Sequence, residues 1–97
     1  MTELSLANFT ALRGSRFMVQ LDHGDPLPAE LIETRALQAY SFQERQPFSL
    51  LFKGPAAPVL PQSIYKMVRD GDGEPLDIFL VPVSADASGA CYEAVFN

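Results

Sequence analysis

Pro47-Phe48-Ser49-Leu50-Leu51-Phe52-Lys53-Gly54-Pro55, followed by Pro58, Pro61 and Ser63-Ile64-Tyr65-Lys66-Met67, reads as two β-strands joined by a proline-studded connector. Phe48, Leu50 and Phe52 alternate with Ser49 and Lys53 in the two-residue period of a strand that buries one face. Tyr65 and Met67 alternate with Lys66 in the same way. Pro47 suits the first position of a strand, where no ladder donor is needed. The three prolines of the connector remove N–H donors and fix φ, so the segment reads as an architectural corner that carries the chain from one part of a sheet to another.

Towards the N-terminus, Ser5 is placed to cap a short helix in which Leu6, Phe9 and Leu12 fall near one face, and Gly14 ends it. Arg16 to Leu21 then alternates Phe17, Val19 and Leu21 against Arg16, Met18 and Gln20, and the cluster from Asp22 to Pro26 is a turn. Pro28 to Tyr40 is a longer strand whose phase slips: Ile32 and Thr34 share one parity, Leu37 and Ala39 the other. A bulge near Arg35 accounts for the slip, because one extra residue moves the apolar set to the opposite face. Ser41 to Gln46 reads as a loop.

Towards the C-terminus, Ser63 to Arg69 ends in Asp70-Gly71-Asp72-Gly73-Glu74-Pro75, a hairpin signal, so Leu76 to Val83 is expected to pair back on it. Asp86 to Gly89 makes another turn, and Ala90 to Phe96 closes the chain with Tyr92, Ala94 and Phe96 on one parity. The expected fold is mostly β: a single domain over residues 1–97, built as a six-stranded antiparallel barrel or sandwich with one short N-terminal helix.

A length of 97 residues suffices for one hydrophobic core, and 47% hydrophobic with 20% charged residues is ordinary globular composition. The formal net charge is −5, and the seven basic residues are scattered, which argues against a nucleic-acid partner that would need a clustered cationic face. Cys91 has no second cysteine to pair with, so nothing demands an oxidising compartment and the cytoplasm is the expected location. Met-Thr-Glu-Leu-Ser-Leu lacks the basic start and apolar run of a secretory signal. No stretch approaches the roughly 18 apolar residues of a membrane span, so no membrane partner is expected.

Residues with chemical potential do not assemble into a signature. His23 between Asp22 and Asp25 lacks the further ligands of a metal site. Asp70, Asp72 and Glu74 resemble the start of a calcium loop, but the position for its bidentate glutamate holds Val81. Cys91 reads as a small strand hydrophobe, and Ser49, Ser63 and Ser84 have no nucleophile elbow. Gly54 is followed by Pro55, which removes donors a phosphate loop needs. Glu33 and Glu93 could meet on facing strands as an acid–base pair. The expectation is a protein without catalytic residues, metal or cofactor.

The apolar excess is more informative. Leu51, Phe79 and Val81 lie on the parity opposite the core rows, and a chain of this size has no second core to hide them. Either the N-terminal helix covers that face, or a protein partner does, or a second copy does in a homodimer. A different reading places an apolar ligand inside the barrel among Phe17, Phe48, Phe52, Tyr65 and Ile78, although six strands favour an interior filled by side chains.

Phe48-Ser49-Leu50-Leu51-Phe52-Lys53-Gly54-Pro55 with Leu60-Pro61-Gln62 and Ile64-Tyr65 resembles an uncharacterised family of small bacterial proteins of about this length. Phe79-Leu80-Val81-Pro82-Val83, Tyr92-Glu93-Ala94-Val95-Phe96-Asn97 and the opening Leu6, Phe9, Leu12, Gly14 and Phe17 are similar to it as well. Members of that family are often encoded near proteins with phage-tail collar or fibre-like domains. The resemblance therefore implies an accessory or structural part of a tail-like particle, and it brings no catalytic residues with it.

Overall fold

The computed structural model describes residues 5–38, 46–70 and 74–96. Its elements are, in chain order, α1 (Leu6–Ala11), β1 (Arg16–Gln20), β2 (Leu27–Ala36), β3 (Phe48–Gly54), β4 (Ser63–Arg69), β5 (Pro75–Asp86) and β6 (Gly89–Phe96). The strands form a closed barrel in the order β1-β2-β3-β6-β5-β4, every neighbouring pair antiparallel. Pairing of β1 with β4, Val19 opposite Met67, closes the ring and leaves no free edge.

Alternation decides which side chains fill the interior. Phe17 and Val19 on β1, Leu50 and Phe52 on β3, and Ile78 and Leu80 on β5 are all fully buried. A six-stranded barrel is narrow, so large inward residues need small ones beside them. The inward row of β6 alternates accordingly: Ala94 lies opposite Leu50 and Ala90 opposite Gly54, and these two alanines flank Tyr92, which lies opposite Phe52. Phe17 meets Phe52 edge-on at a ring-centroid distance of 5.5 Å.

Both ends of the barrel are closed by the chain itself. At one end Ser5 caps α1, its hydroxyl accepting from the Asn8 N–H at 3.3 Å, and the helix drops Phe9 onto the barrel. The Phe9 ring lies 5.9 Å from Phe48 and 5.7 Å from Phe96, which stack on each other at 4.8 Å. Gly14, at φ 91°, turns the chain out of the helix, and its N–H donates to the Leu31 carbonyl at 2.7 Å. At the opposite end the proline connector crosses the mouth. In the ring order β3 and β4 lie on opposite sides, so residues 55–62 must span the barrel rather than turn back beside β3. Within the connector Leu60 is buried, its N–H donating to the Tyr92 hydroxyl at 2.8 Å, and the Tyr65 hydroxyl donates to the Pro61 carbonyl at 2.6 Å.

The expected helix and six strands are present, and closure decides for the barrel over the sandwich. The bulge expected near Arg35 is instead at Ile32, where the register with β3 shifts between Leu31 and Glu33. The inward set is Ala29 and Leu31 before the bulge, while beyond it Thr34 and Ala36 lie opposite the buried Leu50 and Phe48. Ile32 is thus the extra outward residue, so its parity could not be counted with that of Thr34. The strand also ends at Ala36, short of the expected Tyr40, which lies outside the described residues. A second register shift between Pro82 and Ser84 lets β5 continue to Asp86, past the expected end at Val83. The expected Ser41–Gln46 loop and Asp70–Pro75 hairpin fall largely outside the described residues.

The turn between β5 and β6 is held by Asp86, whose carboxylate accepts from the Ser88 N–H at 2.8 Å and hydroxyl at 2.6 Å. Those bonds to Ser88 hold the Asp86 carboxyl below the ordinary aspartate range. A depressed folded-state pKa contributes stability above the ordinary range that is lost as pH falls through the lowered value. Ser88→Ala should therefore move the Asp86 midpoint upward toward that of an ordinary aspartate, which an NMR titration of its carboxyl carbon measures. Phe9→Ala should lower the unfolding free energy by about 3–5 kcal/mol in chemical denaturation, because it empties the packed end of the barrel.

Candidate functional site

Most of the large apolar residues exposed among the described ones lie on the outer wall of the barrel. Leu51 on β3 and Val81 on β5, both half-buried, stand on either side of Glu93 on β6: the registers pair Leu51 with Glu93 and Glu93 with Val81. Phe79 precedes Val81 by two residues and Val95 follows Glu93 by two, so the antiparallel pairing carries both to the same side of that row. Phe79 is in turn directly opposite Ile64 on β4. The result is one outward apolar surface across four strands, with Ile64 66%, Val95 50% and Phe79 46% exposed.

All three residues singled out from sequence, Leu51, Phe79 and Val81, belong to this surface. Ile64 and Val95 belong to it too and were not singled out, although the same signal, an apolar residue on the outward parity, was there to read. The helix does not cover it: α1 packs on β2 and places Phe9 against the barrel end.

Charge marks the surface unevenly. At the β2 border Glu33 pairs with Arg35 at 3.3 Å, and at the β4–β5 border Lys66 pairs with Asp77 at 3.0 Å. Among the described residues no cation pairs with Glu93, which is half-buried between its two apolar neighbours. Glu33 and Glu93 do not form the acid–base pair considered from sequence, since Leu51 stands between them as the cross-strand partner of both. Two inter-strand spacings, roughly 9–10 Å, separate their backbones.

A groove of about 370 Å³ adjoins the apolar surface at Ile64 and is lined further by Gln20, Asp22, Tyr65, Lys66 and Asp77. Burial, reinforced by Tyr92 and Asp22, pushes the Tyr65 hydroxyl above the ordinary tyrosine range, so Tyr65 stays a neutral donor to the Pro61 carbonyl.

The remaining candidates are dispersed. His23 and Asp25 share the exposed turn after β1 with Asp22, and no group of three or more His, Cys, Asp or Glu side chains is arranged to hold a metal among the described residues. Asp70 pairs with Arg16 at 3.5 Å, and Asp72 lies outside the described residues. Cys91 is half-buried on β6 opposite Lys53 and Ser84. Ser49, Ser63 and Ser84 are spread over β3, β4 and β5. No helix among the described residues is long and apolar enough to cross a membrane.

A family model, Domain of unknown function (DUF6916), matches residues 4–96. The chain belongs to the DUF6916 family. Membership spans the helix and all six strands, so the barrel described here is the DUF6916 domain itself. It agrees with the resemblance to an uncharacterised family of small domains and assigns no activity. No curated protein and no solved structure matches the chain.

If the outer surface is not part of the core, substitutions there should leave folding nearly unchanged. Ile64→Ser should alter the unfolding free energy by no more than about 0.5 kcal/mol. Ile78→Ala, one strand away on the inner face, should cost about 2–5 kcal/mol. Denaturant melts of the two variants test this contrast.

Proposed function

We propose that this DUF6916 domain is a non-enzymatic protein-interaction module that docks a partner protein on the outer face of β3, β6, β5 and β4. The observation that carries the reading is the continuity of Leu51, Val81, Phe79, Ile64 and Val95 across four strands of a barrel whose core needs none of them. Singly exposed apolar residues are ordinary on a protein surface; a connected patch framed by charged residues is the usual mark of an interface. Closure supports the same reading, because a barrel without edges cannot recruit a partner by strand addition and must use a side-chain surface.

A partner of tail-collar or fibre-like type is the one the family resemblance implies, and the cytoplasm is the compartment that an unpaired Cys91 favours. The alternative of an apolar ligand held among Phe17, Phe48, Phe52, Tyr65 and Ile78 is less well supported. Phe17 packs on Phe52, Phe48 on Phe96 and Phe9, and Ile78 is fully buried, so these side chains are occupied with one another.

The test is co-purification of the tagged chain with the proteins encoded beside it, in parallel with Phe79→Asp. The wild type should retain a neighbour and the variant should lose it while keeping its circular dichroism spectrum. A monodisperse wild-type monomer that retains none of them would contradict the proposal.

A further inference from the structure

The interaction reading leaves the chemistry of the partner open, and Glu93 narrows it. A carboxylate at the centre of an apolar surface, half-buried and in no ion pair among the described residues, is tolerable while water reaches it. Once a partner covers the surface, that charge must be matched or it opposes association, because an unpaired buried charge costs far more than its attraction returns elsewhere.

A second copy of the chain is poorly suited to match it. An isologous contact centred on this face sets the same patch against itself and brings two Glu93 carboxylates together beneath apolar cover. The cations around the face already have other neighbours. Lys53, the nearest in register, runs over Gly89 and acts on Asp86, while Arg35 pairs with Glu33 and Lys66 with Asp77. A net charge of −5 adds long-range repulsion between copies. The same charge attracts a basic partner.

The groove extends the argument along the wall. It opens at Ile64, the outermost member of the apolar surface, and continues to Asp22, a carboxylate that likewise has no ion-pair partner among the described residues. A chain lying across β6, β5 and β4 therefore passes Glu93, then the Phe79–Ile64 pair, then Asp22. Glu93 and Asp22 thus stand on either side of the Phe79–Ile64 pair, and Asp77, the carboxylate of β5 on this path, is paired with Lys66.

We propose that the occupant of this face is a segment of a different protein that presents apolar side chains with lysine or arginine beside them, a cation meeting Glu93 and the segment running on toward Asp22. This rests on the interaction reading above and adds the partner's charge and its non-identity with this chain. Apolar contact supplies most of the association, and the cation supplies specificity and register.

The experiment uses the purified full chain as bait for a random-peptide display library, with Glu93→Lys and Phe79→Asp baits in parallel and Ile64→Asp as a second apolar variant. Circular dichroism verifies that each bait is folded. The wild type should enrich peptides that combine aromatic or aliphatic residues with lysine or arginine. Those peptides should bind Glu93→Lys at least about ten-fold more weakly, and selection on Glu93→Lys should turn toward acidic peptides. Enrichment of apolar peptides with no charge preference, unchanged by Glu93→Lys but lost in Phe79→Asp and Ile64→Asp, would overturn the basic-partner inference and leave the interaction face standing. No enrichment, or enrichment indifferent to both apolar variants, would overturn both. Concentration-dependent dimerisation of the wild type in sedimentation, abolished by Phe79→Asp, would show that a second copy is the occupant and overturn the inference.

Discussion

The pairing of β1 with β4 is the constraint from which the rest of the molecule follows. It makes the sheet a closed ring, and in that ring the consecutive strands β3 and β4 stand on opposite sides. The connector between them has to cross the barrel mouth, and a crossing segment places backbone polar groups over an apolar interior where unpaired donors are costly. The sequence meets this with prolines, which have no N–H to satisfy, and with two tyrosines. Tyr92 accepts from Leu60 and Tyr65 donates to Pro61, so the crossing is tied to β6 and β4. The helix closes the other end through Phe9. A barrel stoppered at both ends, with its interior packed, presents its outer wall to the surroundings.

How much of this could be read from the sequence depended on whether a signal was local. Strand β4 matched its expected bounds because Pro61 on one side and the Asp-Gly hairpin signal on the other delimit Ser63–Arg69. The cap on α1 was legible because Ser5 and Gly14 act over a few residues. The bulges were harder. A bulge changes parity without a distinctive residue, and Ile32 looks like an inward strand residue until Leu31 and Glu33 are known to lie opposite the consecutive residues Phe52 and Leu51. The destination of the proline connector was not legible either: the prolines announce a corner, but only the β1–β4 pairing says that the corner crosses the mouth.

The site divides in the same way. Leu51, Phe79 and Val81 were recognisable one strand at a time, as apolar residues on the wrong parity. Their assembly into one surface with Ile64 and Val95 depends on strand order, since β6 lies between β3 and β5 in space but last in sequence. The position of Glu93 between Leu51 and Val81 is a long-range fact of the same kind. It turns an ordinary outward glutamate into the one charged group at the centre of the apolar surface.

In the proposed function labour is divided: a packed interior stabilises, and an exposed apolar wall interacts. Methyl NMR spectra of the labelled protein, recorded as dissolved benzene is raised toward saturation, test that division most directly. Benzene enters apolar cavities and also collects on exposed apolar patches. The account predicts shifts at the methyls of Ile64, Val81 and Val95, with those of Leu31, Ile78 and Leu80 unmoved. Saturable shifts at Leu31, Ile78 and Leu80 with the outer methyls silent would contradict it, and would make the barrel a container rather than a docking surface.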